Sequence, residues 1–317
     1  MVDITDKPQL VEHVHQSLSL TVYETKWIPA SARFVLLGSP ARQTGMLQIY
    51  QLNGGGIELQ AEVERPKSFK CGTFGATTLA ERHIATGDFE GKLANWDLET
   101  LKETYTIKAH DTIINAIDGC GGLKGAGAPE IVTGSRDGCV HVWDPRQQDR
   151  PVASMTPVEG EPVRDCWAVA FGDAHSTASR LVAAGYDNGD VKVLDLVAGK
   201  MRWETNVSNG VCGVEFDRKD IEMNKLVVTT LESRYRYVAP RGYRAARRPH
   251  ARTRPSRRPW WPPPDHEARL SLPRWPIAGC TTCGRSTRCT GSPSSRRRRT
   301  SRPSGRLAIC RRTATSS

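Results

Sequence analysis

Apolar and polar positions alternate with a period of two over short runs through most of this chain. Clusters of Gly, Asp, Asn and Ser separate the runs. The clearest case is IVTGSRDGCVHVWD (131–144). Ile131, Val132 and Thr133 are β-branched, Ser135-Arg136-Asp137-Gly138 is a turn cluster, and Val140, His141 and Val142 alternate. That is the pattern of a β-hairpin. It recurs as IATGDFEGKLANWD (84–97) and VAAGYDNGDVKVLD (182–195). In each copy a Gly stands nine residues before Trp or its substitute: Gly87 and Trp96, Gly134 and Trp143, Gly185 and Leu194. VLLGSPARQTGMLQIY (35–50) fits with three extra turn residues and Tyr50 in the Trp slot.

The Trp slot therefore falls at 50, 96, 143 and 194. A strand-rich repeat of about 40–45 residues or a little more, marked by Gly-His and Trp-Asp, predicts an all-β propeller. Ala109-His110 stands where Gly-His belongs for the repeat ending at Trp143. A blade is a four-stranded antiparallel sheet. The pattern supplies four full sets, at 21–63, 70–108, 113–158 and 166–207. A fifth set has strands at 210–216 and 225–230 and loses its third where the composition breaks.

That break divides the chain. Residues 1–233 carry 23 Lys and Arg against 32 Asp and Glu, a net −9; residues 234–317 carry 22 Arg, no Lys and two acids, a net +20. The first part is long enough to bury a substantial core. The second has neither helical nor strand period, and is expected to be a disordered tail rich in Arg, Pro and Ser. Its residues are those with GC-rich codons, as a reading frame shifted from about residue 234–239 would give. The alternative is an Arg-rich arm for nucleic-acid phosphates. Cys280, Cys283, Cys289 and Cys310 contain one CxxC without a second spaced pair, so no metal site is expected. MVDITDKPQL lacks a basic region followed by an apolar segment, and no run reaches membrane-spanning length. With Cys71, Cys120, Cys139, Cys166 and Cys212 scattered, this predicts a cytoplasmic protein with reduced thiols.

The sequence shows no Walker loop, no GxGxxG opening a helix and no HExxH. GCGGLKGAG (119–127) lacks a following helix and reads as a flexible inter-strand loop. No enzymatic activity and no cofactor are expected. One repeat carries His110, Thr133, Asp137 and Trp143, which resemble the hydrogen-bonded structural set of WD-repeat proteins. An indole N–H can only donate, a hydroxyl both donates and accepts, and a carboxylate fixes an imidazole's tautomer. Glu90 and Asn188 take the Asp slot in other repeats. Exposed positions before that slot, Phe89, Arg136 and Asp187, are candidate partner contacts, since aromatic and Arg side chains are enriched at binding hot spots.

Several stretches go beyond a generic propeller: KCGTFGAT (70–77), APEIVTGSRDG (128–138), RDCWAVAFG (164–172), AGYDNGDVK (184–192) and GVCGVEFDRKDIEMNKL (210–226). They resemble the family of small WD-repeat dynein axonemal assembly factors, from about residue 7 to about 233. The resemblance implies a seven-bladed propeller whose last strands pair with an N-terminal strand, here PQLVEHVHQ (8–16). It also implies an adaptor in cytoplasmic preassembly of axonemal dynein arms, beside a RuvB-like and prefoldin-like co-chaperone complex. An alternative is a cullin ubiquitin ligase substrate receptor, because Trp143-Asp144-Pro145-Arg146 fits WDxR.

Overall fold

The computed structural model describes residues 12–123, 125–222, 225–232 and 235–238. They form five antiparallel sheets. The first runs β1 (Leu20–Trp27), β2 (Arg33–Pro40), β3 (Gly45–Asn53) and β4 (Gly56–Arg65). The second has β5 (Phe69–Thr73), β6 (Ile84–Asp88), β7 (Lys92–Asp97) and β8 (Lys102–Lys108). The third has β9 (Ile114–Cys120), β10 (Glu130–Ser135), β11 (Val140–Trp143) and a short outer β12 (Ala153–Met155). The fourth has β13 (Cys166–Ser176), β14 (Ser179–Tyr186), β15 (Asp190–Asp195) and β16 (Lys200–Asn206). The fifth has β17 (Val211–Phe216), β18 (Leu226–Thr230) and β19 (Tyr235–Val238).

Strands pair in chain order, so every connection within a sheet is a hairpin. The inner strands β1, β5, β9, β13 and β17 stand side by side. Each seam between sheets holds its own core. Val35, Leu37 and Leu47 meet Phe69, Ile84 and Trp96 at the first seam. Leu93 and Cys71 meet Ile114 and Trp143 at the second. Val132 and Val142 meet Phe171 and Val182 at the third. Val191 and Leu181 meet Val211 and Leu226 at the fourth. The outer strands β8 and β16 alternate half-buried and exposed throughout, and β4 over its second half, as a strand wetted on one side does.

The repeated Gly has a packing cause. A Cβ on Gly134 would lie 2.7 Å from Cys166 Sγ and Val169 Cγ1 of the fourth sheet; one on Gly87 would lie 2.7 Å from Ile114 Cγ2 of the third. The second strand of one sheet approaches the next inner strand too closely for any side chain.

Three expectations need correction. The fifth sheet does gain a third strand: β19 pairs with β18 from Leu226↔Val238 to Thr229↔Tyr235. Sheet pairing thus continues past the composition break at 233. Residues 12–18 form no strand, and the remainder of the expected N-terminal strand lies outside the described residues. The Gly-rich loop is wedged between sheets instead of swinging free. A Cβ on Gly122 would lie 2.1 Å from Thr77 O, and the Ala126 N–H donates to Ala174 O at 2.6 Å. The cysteines of the tail, from Cys280 to Cys310, lie outside the described residues.

Candidate functional site: the propeller rim

The set anticipated from one repeat is assembled in the third sheet. His110 sits in the loop between β8 and β9, Thr133 on β10, Asp137 in the β10–β11 turn and Trp143 on β11. Trp143 Nε1 donates to Thr133 Oγ1 at 3.0 Å, and that oxygen lies 2.8 Å from His110 Nε2. His110 Nδ1 lies 3.1 Å from Asp137 Oδ2. The Asp137 carboxylate also accepts the N–H groups of Cys139 at 2.8 Å and Asp111 at 3.1 Å. Burial opposes ionisation of Asp137, but the His110 hydrogen bond and the Cys139 N–H outweigh it and hold the carboxyl well below its usual range. Thr133 is fully buried and His110 nearly so. An acid–base relay has to face a cleft; this one is sealed inside a seam and ties turn, strand and loop together.

The second sheet carries half of the set. Trp96 Nε1 donates to Thr86 Oγ1 at 2.9 Å. The slot residue Glu90 pairs with Lys67 at 2.6 Å instead of with a histidine, and Asp88 caps the turn through the N–H groups of Glu90 and Lys92, both at 2.8 Å. In the fourth sheet Asn188 takes the turn through the Asp190 N–H at 3.1 Å.

The rim positions lie in the expected turns, but only Arg136 is exposed; Phe89 and Asp187 are half-buried. Phe89, Arg136 and Asp187 occupy corresponding β-turns of three successive sheets. The Arg136 side chain is 62% exposed and stands 3.6 Å from Asp165. Asp187 Oδ1 is buried with no hydrogen-bond partner among the described residues. Phe89 is not alone: its ring lies 5.2 Å from that of Tyr23, and Lys70 stands over both rings, 5.2 Å from Tyr23 and 5.9 Å from Phe89. Arg146, its side chain 65% exposed, also makes a contact within its own turn. Its guanidinium folds back on Asp144, with Nε to Oδ1 at 2.9 Å and Nη2 to Oδ2 at 2.7 Å, and so closes its own turn.

One feature of the rim escaped the sequence reading. Every inner strand bulges near its start, and the extra residue is Tyr23, Lys70, Asn115, Trp167 or Cys212. A bulge re-aims a side chain out of the alternation. These five residues share the rim with the turns that hold Phe89, Arg136 and Asp187. The alternation hides them, because a bulge exists only in the register between two strands. Away from the rim, burial pushes the Cys120 and Cys166 thiols up to about 12, which disfavours the reactive thiolate. No group of three or more metal-ligating side chains occurs among the described residues, and no helix among them is long and apolar enough to cross a membrane.

A family model for the WD domain, G-beta repeat, matches residues 101–144, the stretch that contains the His110–Thr133–Asp137–Trp143 set. The fold is a WD-repeat β-propeller. The solved structure of Saccharomyces cerevisiae Sqt1 superposes on the propeller with a TM-score of 0.56, at 15% identity, over 70% of this chain and 59% of that one. Closer in sequence are proteins called dynein axonemal assembly factor 10. The Bos taurus protein is 58% identical over 232 residues, 73% of this chain and 65% of its own length. The Chlamydomonas reinhardtii protein is 57% identical over 236 residues, 74% of this chain and 66% of its own length. The Danio rerio protein is 59% identical over 232 residues, again 73% and 65%. The propeller chain thus spans slightly under two thirds of the length of these relatives.

Proposed function

We propose that this chain is a non-catalytic adaptor of the Monad type, which assists cytoplasmic preassembly of axonemal dynein arms together with a RuvB-like and prefoldin-like co-chaperone complex. The observation that carries the reading is the identity of more than half of all positions with dynein axonemal assembly factor 10 over 232 residues. The geometry supports it in a second way. The polar set that most resembles a catalytic relay is spent on holding a seam, while the rim turns present half-buried aromatic rings beside the exposed Arg136. Loops and turns on a rigid scaffold are where partners are recognised.

The test is to express the tagged 317-residue chain in ciliating cells and to recover its partners from the cytoplasm. Dynein chains and RuvB-like ATPase subunits should co-purify, and Phe89→Ala with Arg136→Ala should cut their recovery severalfold while the chain stays folded. Recovery of neither partner overturns the reading. Recovery unchanged in the double variant overturns the assignment of the contact to these turns.

A further inference from the structure

We propose that the depression between the second and third sheets is a docking site for an acidic segment of a protein partner that carries an apolar anchor, a reading that rests on the rim being the partner face. The depression, about 620 Å³, is lined by Phe89, Lys92, Lys108, Asp111, Ile113 and Arg136 among others. Lys92 on β7 and Lys108 on β8 are directly opposed in register. Like charges placed directly opposite on neighbouring strands destabilise a sheet. The fourth sheet shows the ordinary solution at the corresponding position: Asp190 opposes Asn206, and the Asn206 amide donates to the Asp190 carboxylate at 2.7 Å. The second sheet instead sets two lysines opposite each other, and both line the depression.

Local charge points the same way. Glu90 is paired with Lys67 at 2.6 Å, and Arg136 stands 3.6 Å from Asp165. Lys108 Nζ is directed at the backbone carbonyls of Glu90 and Asp111. Lys70 stands over the Tyr23 and Phe89 rings. Of the side chains that line the depression, Lys92, Lys108 and Arg136 outnumber Glu90 and Asp111, and Glu90 is already engaged by Lys67. Phe89 and Ile113 are half-buried beside them and offer a seat for an apolar side chain.

The surroundings select the kind of anion. Residues 1–233 carry a net −9. A long polyanion such as duplex nucleic acid would be repelled by the acidic residues 1–233 around the depression, whereas two or three carboxylates on a short segment fit its lining cations Lys92, Lys108 and Arg136. The chain's own Arg-rich tail, with 22 Arg and two acids, has the wrong sign to fill it.

Fluorescence anisotropy on the intact chain tests this with a short labelled peptide carrying Glu pairs on each side of one Phe, and with its Glu→Gln counterpart. The acidic peptide should bind about tenfold more tightly at low ionic strength and lose that margin as salt rises. Lys92→Asp with Lys108→Asn, which installs the pair used by the fourth sheet, should weaken it about fivefold. The same double variant should keep or raise the thermal midpoint, so lost binding cannot be ascribed to unfolding. Lys102→Glu, at the far end of β8, should change nothing. Equal affinity for the two peptides, or binding unchanged in the double variant, overturns the proposal. So does tighter, lysine-dependent binding of duplex DNA or anionic vesicles. Peptide binding without recovery of dynein chains from cells removes the adaptor reading alone; recovery without peptide binding removes only this site.

Discussion

Thr133 shows how much one hydroxyl can hold. It accepts from Trp143 at 3.0 Å, lies 2.8 Å from His110, and is fully buried. Thr133→Val keeps the shape and strands the indole N–H and an imidazole nitrogen together, at a cost of about 2–3 kcal/mol. Thr133→Ser should restore most of that. Denaturant midpoints of the two variants decide the matter, and equal midpoints for Val and wild type would remove the set from the stability argument. Beside the set, His141 stacks on His110 at 4.6 Å and reaches Ser154 Oγ at 2.8 Å. Burial, reinforced by the neighbouring His110, pushes its pKa down to about 4. The folded state thus binds fewer protons than an unfolded chain with an ordinary His near 6.5. The stability from neutral His141 is complete above about pH 6.5 and disappears as pH falls to about 4, on the order of 3 kcal/mol. Asp137, also held low, adds a further loss below its ordinary carboxylate range. His141→Gln should flatten the upper window and leave the lower one, as unfolding free energies measured against pH will show.

At the scale of strands, the parts legible in the sequence are those that a single strand decides. Alternation placed β2, β3, β6, β7, β10, β11, β14 and β15 within a residue or two, because each has a dry face and a fixed Gly–Trp spacing. The set in the third sheet was legible for the same reason. What escaped belongs to pairs. The bulges at Lys70 and Trp167, and the opposition of Lys92 to Lys108 from sixteen residues away, exist only once register is set. β19 escaped because Tyr235–Val238 sits at the edge of Arg-rich sequence and gains its strand character from β18. The recurrent Gly gives a direct test of the seams. Gly134→Ala forces a methyl against Cys166 Sγ and Val169 Cγ1, where 2.7 Å is available. The expected loss is about 1–3 kcal/mol, as for other overpacked cores. Gly54→Ala, with nothing within 4 Å, should be nearly neutral. Matching unfolding midpoints for the two variants would mean the seams can part without cost.

At the scale of the molecule, the seams run from the first sheet to the fifth, and no strong strand packing joins the fifth back to the first among the described residues. The first sheet carries an apolar row across all four strands, with Trp27, Phe34, Tyr50 and Leu59 directly opposed in turn. Tyr50 is buried, but Trp27 is 58% and Leu59 47% exposed, so the row is wet at both ends. Covering even ~200 Å² of such surface contributes about 5 kcal/mol at ~25 cal/mol per Å². That is comparable to the net stability of a marginal domain. Phe34 lies edge-on to Trp27 at 5.3 Å and stacked on Tyr50 at 5.5 Å, so the row is a contiguous aromatic cluster with Trp27 at its exposed end. An Arg-rich segment without alternating apolar positions is a poor cover for it. We expect the 317-residue chain to associate with itself or with chaperones as concentration rises. Trp27→Asp with Leu59→Asp should shift it toward monomer with unchanged β-sheet circular dichroism, since both side chains point to solvent. Sedimentation velocity across a range of loading concentrations distinguishes the cases. A wild-type chain that stays a monodisperse monomer with one cooperative thermal transition would show that the row is already covered and that the propeller is closed without a further sheet.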